Sequence, residues 1–357
     1  MAKAEFKFVG TSPARMGGID RVIGKGVYGI DLMLKDQLHG AILRSQYAHA
    51  KIVSIDTSEA KKIPGVHAVV TAEDAPDVRY GRSYIDRYIL ARGKVRFMGD
   101  PVAAVAADTA AIAKAALKKI KVVYEPLPVV IDAEEAMKLD APTLHEDMPL
   151  PKNLPEGVMV KNVCGFTQVH VGDPEKAMAE ADLVVDEVYE TKMIHPQYLE
   201  PRIAAAQVEP NGRLTIWANA QAPFGVRTEV AKMLGLPLNN VRVISAELGG
   251  GFGGKGSGIT SGAAIEPICG LLAIKAKRAV MIVLDKAEET ISTTIRSGAR
   301  MYIKTGVKKD GTIVARTGKV IYDAGGYSGF GTQAGGRCTN MLGGWYLMPN
   351  CHIDGYV

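Results

Sequence analysis

The sequence predicts an α+β protein of two domains, and three observations carry that expectation. From about Gly18 to Leu127 short apolar strands alternate with helical patterns, which reads as a compact α/β unit. Pro142, Pro149, Pro151 and Pro155 then interrupt every regular element, placing a boundary between about Asp140 and Val163. Beyond it, two hairpin signals lie among helical segments, so strands and helices are mixed there too. With 357 residues and 47% apolar content the chain can bury sizeable cores, and we expect domains spanning residues 1–140 and 141–357.

The individual elements follow from local signals. Pro101-Val-Ala-Ala-Val105 reads as a buried strand. Asp108 and Thr109 can cap a helix from Ala110 to Ile120, whose apolar residues recur at Ile112, Ala116, Leu117 and Ile120, and Lys121 to Glu125 reads as the next strand. Lys114, Lys118, Lys119 and Lys121 are then the solvated face of that helix. In the second domain, Gly172-Asp-Pro-Glu175 supplies an N-cap with proline at the first helical position, and Leu183 to Thr191 reads as a strand. Asn211-Gly212 separates Ile203–Val208 from Leu214–Ala218, and Asp310-Gly311 separates Tyr302–Val307 from Thr312–Lys319, each pair being a hairpin.

Composition removes several function classes. The net charge of +5 comes from 43 basic and 38 acidic residues without a dominant block, and the sparse aromatics are not interleaved with the basic group, so no nucleic-acid surface is indicated. Residues Met1 to Phe8 carry charges where a secretory signal needs an apolar core, and no apolar run reaches the roughly 18 residues of a membrane span. A cytoplasmic protein is expected. Cys164, Cys269, Cys338 and Cys351 are scattered, with neither C-x-x-C nor iron–sulfur spacing, so they are expected to be reduced. The histidines show no i, i+4 pairing and are read as isolated, which argues against a protein-ligated zinc site.

The most informative stretch is Glu247-Leu-Gly-Gly-Gly-Phe-Gly-Gly-Lys-Gly-Ser257, with five glycines in the six positions Gly249 to Gly254. It follows the β-branched strand Asn240-Val-Arg-Val-Ile-Ser245 and precedes Ala263 to Ala276, which reads as a buried helix. Without Cβ atoms, backbone N–H groups can approach an oxygen-rich, anionic ligand. Gly249, Gly254 and Lys255 fit part of a phosphate-binding loop, but Gly256 stands where Ser or Thr would hold magnesium. Gly249, Gly251 and Gly254 also fit G-x-G-x-x-G, yet no acidic residue closes a second strand at the dinucleotide spacing. A ligand-free turn would need only one or two glycines.

Gly249-Gly-Gly-Phe-Gly-Gly-Lys255 resembles the glycine signature of the xanthine dehydrogenase and aldehyde oxidase family of molybdenum hydroxylases. The resemblance covers nearly the whole chain. Gly24-Lys-Gly-Val-Tyr-Gly-Ile-Asp31, Leu38-His-Gly-Ala-Ile-Leu-Arg-Ser45, Pro64-Gly-Val-His-Ala-Val-Val70 and Met98-Gly-Asp-Pro-Val-Ala-Ala-Val105 are similar to the opening of its molybdenum subunit. Leu199-Glu-Pro201, Ala220-Gln-Ala-Pro223 and Leu234-Gly-Leu-Pro237 follow in the family's order.

The resemblance implies an α/β hammerhead-like domain followed by a first, incomplete molybdopterin-binding domain. It implies molybdenum held by a pterin, as molybdopterin or its cytosine dinucleotide form, with few protein ligands. Gln221, Gly250, Gly251, Phe252, Gly253 and Gly254 are then expected to contact the cofactor, with Gln221 and Phe252 close to the metal but not ligating it. Glu200 is structural in the family's motif, and Lys255 is read as positioning the loop by a charge-assisted bond. The family's reaction adds water-derived oxygen to an electron-poor carbon, and the electrons leave through iron–sulfur clusters and often FAD. Here the [2Fe-2S] centres and FAD are expected on partner chains.

Three departures bear on function. His195 precedes Pro196, one position earlier than the family's usual histidine, and Gly256 replaces the glutamate with which purine-oxidising members hold substrate. A non-purine substrate is therefore expected, with Gly256 lining its pocket. The family's molybdenum subunit also continues well beyond the equivalent of Val357 and supplies its catalytic base there. Glu266, Glu288 and Glu289 are the only glutamates after the glycine loop, and none matches that later motif. No catalytic base is expected in this chain. The resemblance thus implies the N-terminal half of a split subunit, active only with a chain that carries the other half, with an iron–sulfur subunit and with an FAD subunit. A molybdenum-dependent hydratase, a reductive dehydroxylase and a non-catalytic assembly subunit are the alternatives on the same scaffold.

Overall fold

A computed structural model describes residues 6–81, 84–256, 265–344 and 346–357. Its strands are β1 (Leu38–Arg44), β2 (Ala50–Asp56), β3 (Val66–Thr71), β4 (Lys94–Val95), β5 (Pro101–Ala107), β6 (Lys121–Pro126), β7 (Phe166–Val171) and β8 (Leu183–Thr191), then β9 (Ile203–Val208), β10 (Leu214–Ala218), β11 (Val241–Ser245), β12 (Val280–Val283), β13 (Ala299–Val307), β14 (Ile313–Tyr322) and β15 (Cys351–Tyr356). They form a seven-stranded sheet in the order β11-β10-β9-β12-β1-β5-β3, a five-stranded sheet β7-β15-β14-β13-β8 and a three-stranded sheet β4-β2-β6.

Both hairpins read from Asn-Gly and Asp-Gly are present: β9 pairs antiparallel with β10, and β13 with β14. Thr109 accepts a hydrogen bond from the N–H of Ile112, and the helix it caps runs Ala110–Leu117, shorter than the apolar spacing suggested. Lys118 to Ile120 form a tightened exit turn instead, with Lys119 N–H bonded to the Ala116 carbonyl. Asp173 caps Pro174–Ala179 through the Lys176 N–H. The helix expected over Ala263 to Ala276 is seen from Ile265 to Ala276, and its first two positions, like Ser257, lie outside the described residues.

The seven-stranded sheet draws β1, β3 and β5 from before the proline-rich segment and its other four strands from after it. Its core lies between the sheet and the helices Pro223–Met233 and Ile265–Ala276, where Leu214, Ile216, Ile265, Ile268, Leu272 and Ile282 are fully buried. Each such side chain contributes about 1.5–3 kcal/mol by leaving water. Because β9 runs antiparallel to both β10 and β12, while β11 is parallel to β10, the start of β9 meets the ends of β10, β11 and β12 at one edge of the sheet. Glu200, Arg202, Gln221 and the glycine loop itself all lie at that end of the sheet.

Candidate cofactor site

The loop from Gly249 to Lys255 is tied down on two sides by side chains that the sheet delivers. Glu200, just before β9, accepts from the Gly249 N–H at 2.8 Å and from the Lys255 ammonium at 2.9 Å, both on Oε2. Lys255 is buried, with a side-chain exposure of 1%, and its ammonium also stands 4.7 Å from the centre of the Tyr198 ring. Burial pulls the Lys255 pKa down, and the Glu200 carboxylate draws it partly back up. Gln221, just after β10, takes the Gly253 N–H on its Oε1 at 3.0 Å, while its own N–H donates to the Lys255 carbonyl at 2.7 Å.

Two guanidinium groups hold the loop's carbonyl oxygens. Arg202 donates to the Gly254 carbonyl and Arg296 to that of Phe252. With carbonyls turned onto arginines, the N–H groups of Gly250, Gly251 and Phe252 have no acceptor among the described residues. Gly249, Gly253 and Gly254 spend theirs internally, on Glu200, Gln221 and the Gly251 carbonyl. Within the glycine run, three successive amides are thus left to donate to a ligand, while Gly253 and Gly254 offer surface alone.

The glycines answer to packing as well as to approach. A Cβ on Gly251 would stand 2.6 Å from Gln221 Oε1, one on Gly249 2.6 Å from Glu200 Cβ, and one on Gly254 2.8 Å from the Tyr198 ring. Gly250 and Gly253 have φ of 96° and 84°. Phe252 is left-handed too, at φ 48°, a conformation that costs a residue with a Cβ, and its ring is 61% exposed. The loop therefore lifts one aromatic off the protein beside three open N–H groups.

Below the loop lies a buried polar layer that sequence reasoning missed. Glu289, fully buried, accepts from the Tyr198 hydroxyl and, at 2.7 Å, from the Arg202 N–H. The buried Arg202 guanidinium lies 3.6 Å from the Glu266 carboxylate, itself 2% exposed. Burial raises the Tyr198 pKa to about 12, so it stays a donor to Glu289. His195 accepts the Gln197 N–H on Nδ1 at 3.0 Å, so its Nε2 carries the proton toward Thr293 Oγ1, 2.9 Å away, and burial lowers its pKa. One signal for this layer was available: Glu266 interrupts an apolar run, and a charge there needs a partner.

The sequence-predicted residues Gln221, Gly250, Gly251, Phe252, Gly253 and Gly254 form one contiguous surface, and Gly256 follows at its edge. The histidines are less isolated than their spacing suggested. His170 and His352, 182 positions apart, meet across β7 and β15 with their Nδ1 atoms 3.0 Å apart. Strand register, which is set at long range, brings them together. No group of three or more His, Cys, Asp or Glu side chains among the described residues is arranged to hold a metal ion. Among them, too, no helix is long and apolar enough to cross a membrane.

Among the described residues, then, the loop offers unpaired backbone N–H groups and no cluster of metal ligands. Residues 157–357 match the molybdopterin cofactor-binding domain, and residues 23–128 the a/b hammerhead domain of aldehyde oxidase and xanthine dehydrogenase. The chain is 32% identical over 351 residues to the nicotinate dehydrogenase large molybdopterin subunit of Eubacterium barkeri, covering 98% of this chain and 78% of that protein. It is 33% identical over 356 residues to the carbon monoxide dehydrogenase large chain of Afipia carboxidovorans, covering 97% of this chain and 43% of that one. The aldehyde oxidoreductase of Desulfovibrio gigas superposes on 96% of this chain with a TM-score of 0.84 at 28% identity, and this chain covers 37% of it. The chain therefore belongs to the xanthine dehydrogenase and aldehyde oxidase family of molybdenum oxidoreductases, as part of its molybdopterin-binding subunit. It spans most of the first relative's length but less than half of the other two.

Proposed function

We propose that this chain is the N-terminal half of the molybdenum subunit of a multi-chain hydroxylase acting on a non-purine organic substrate. The observation that carries the reading is how Gln221 is held: its oxygen takes the Gly253 N–H, while its NH2 group, on an exposed side chain, has no acceptor among the described residues. That NH2 and the three free loop amides are a donor set suited to an oxygen-rich, anionic pterin and its metal. When bound, the cofactor supplies the redox chemistry, and this chain positions it. Arg202 and Arg296 keep carbonyl dipoles off the anionic group, Glu200 and Lys255 fix the loop's two ends, and Phe252 excludes water above it.

The pterin is molybdopterin or its cytosine dinucleotide form. We place [2Fe-2S] centres and FAD on partner chains, the catalytic base outside residues 1–357, and the complex in the cytoplasm. The division into domains 1–140 and 141–357 belongs to the same proposal; the two family matches end and begin on either side of it. Gly256 offers no carboxylate to a purine, which favours another substrate class. In the native complex, Gln221→Ala should keep the fold and lower turnover by up to about 100-fold, the scale of one lost oriented donor. Unchanged turnover at full molybdenum and pterin content would remove Gln221 from the site.

A further inference from the structure

The strands β7 and β15 carry apolar and polar side chains in strict alternation, and the polar set lies outside the cofactor site. Val169, Cys351 and Ile353 share an apolar cluster with Cys338 and Leu342 of the helix Gly331–Leu342. The residues that alternate with them, Gln168 and His170 on β7 and His352 and Asp354 on β15, therefore stand on the face away from that helix. Register sets His170 opposite His352 and Gln168 opposite Asp354. The two imidazoles meet edge to face, with ring centres 5.2 Å apart, planes at 75° and Nδ1 atoms 3.0 Å apart. His170 is exposed and His352 half-buried, so water and ions reach the pair. Lys319, beside Asp354 in register, spends its charge on Glu134 at 3.0 Å.

We propose that His170 and His352 form a binding site for a divalent transition-metal ion of the copper or nickel kind, held on both Nδ1 atoms with water in its remaining positions. A second observation prepares His352 for that role. Asp354 Oδ2 stands 3.5 Å from His352 Nε2, and Gln168 donates to the other carboxylate oxygen at 2.9 Å. A carboxylate on the outer nitrogen keeps the ring proton there and leaves Nδ1 as the electron-pair donor, the usual setting of a metal-ligating histidine. In the metal-free chain His170 Nδ1 then donates its proton to His352 Nδ1. When an ion enters, that proton passes to His170 Nε2, which has no partner among the described residues, and neither ring changes charge. The separation selects the ion. Metal–imidazole bonds of about 2.0–2.1 Å that span 3.0 Å subtend about 90° at the metal. This is the cis angle of square-planar and octahedral ions, whereas a tetrahedral ion needs its ligands about 3.3 Å apart. No third His, Cys, Asp or Glu joins the pair among the described residues, so the ion exchanges freely. It ties the edge strand β7 to β15.

The test titrates the native protein, stripped with a chelator and with its redox centres oxidised, with Cu²⁺, Ni²⁺, Zn²⁺ and Mg²⁺ in turn. Binding at this site should be tightest for Cu²⁺ and absent for Mg²⁺. The electron paramagnetic resonance of bound Cu²⁺ should show coupling to two imidazole nitrogens. Asp354→Asn should weaken binding about tenfold while keeping both nitrogens. His170→Gln or His352→Gln should weaken it further and reduce the coupling to one nitrogen. These positions are exposed or half-buried, so each variant should keep the melting temperature of the metal-free protein. A double variant, His170→Gln with His352→Gln, that binds Cu²⁺ as tightly as the parent would place the ion elsewhere and overturn the proposal. So would a parent signal with fewer than two imidazoles, which would leave the 3.0 Å contact as a hydrogen bond between the rings and nothing more.

Discussion

Replacing Glu200 by Gln removes one charge from a buried pair while keeping its shape. Oε2 of Glu200 serves both the Gly249 N–H and the Lys255 ammonium, and Lys255 has almost no access to water. A glutamine with its carbonyl oxygen in the place of Oε2 still accepts from both donors, but it sets an NH2 where the buried Oε1 has no partner and leaves the ammonium facing no negative charge. Leaving a buried charge unpaired costs about 3–5 kcal/mol. The Tyr198 ring still faces the ammonium, which places the effect near the lower end, about 3 kcal/mol or roughly a hundredfold in local opening. Denaturant unfolding and hydrogen exchange of the glycine loop both read this.

The sign of its pH dependence follows from Lys255. Its folded pKa lies below the unfolded value near 10.5, and loss of Glu200 lowers it further, because the carboxylate is what raises it. Between the two pKa values the unfolded chain holds the proton and the folded one does not, so stability of the variant rises with pH across that window. The deficit at pH 7 should therefore shrink toward pH 10. Adding Lys255→Met should recover more than half of it at pH 7 by removing the stranded charge. A deficit under about 1 kcal/mol at pH 7, unchanged at pH 10, would refute the claim of a buried, charged pair.

Glu229→Gln should stabilise the protein at pH 8 by up to about 3 kcal/mol, with no gain at pH 5, measured as melting temperature. The sign follows because burial raises the Glu229 carboxyl to about 7, so stability is lost as pH rises from the unfolded carboxylate range through that value. Gly251→Ala drives a Cβ into Gln221 Oε1 and should cost molybdenum and pterin content more than it costs the fold, read by metal analysis against circular dichroism. Xanthine and hypoxanthine should not be turned over by the native complex; efficient oxidation of either would discard the inference from Gly256.

Sequence reading captured the elements whose causes are local. The strand Leu183–Thr191 was found to the residue, and both hairpins and the Asp173 cap were found from two or three adjacent side chains. Sheet order was not legible, because pairing β12 with β1 joins residues more than two hundred positions apart, and no local pattern encodes which edge meets which. The same division runs through the candidate site. The glycine loop announces itself because backbone conformation and close packing both demand glycine there, so its cause is written in one stretch of sequence. The layer beneath has causes spread over three segments: Tyr198 and Arg202 before β9, Glu266 on the apolar helix, and Glu289 after β12. Each reads as ordinary in isolation, and only the sheet edge where those segments meet makes them partners. A buried acid in an apolar run is thus the trace that such a layer leaves in sequence, since Glu266 would cost several kcal/mol there without a cation to answer it. It marks that a partner exists without naming Arg202, and the naming has to come from the fold.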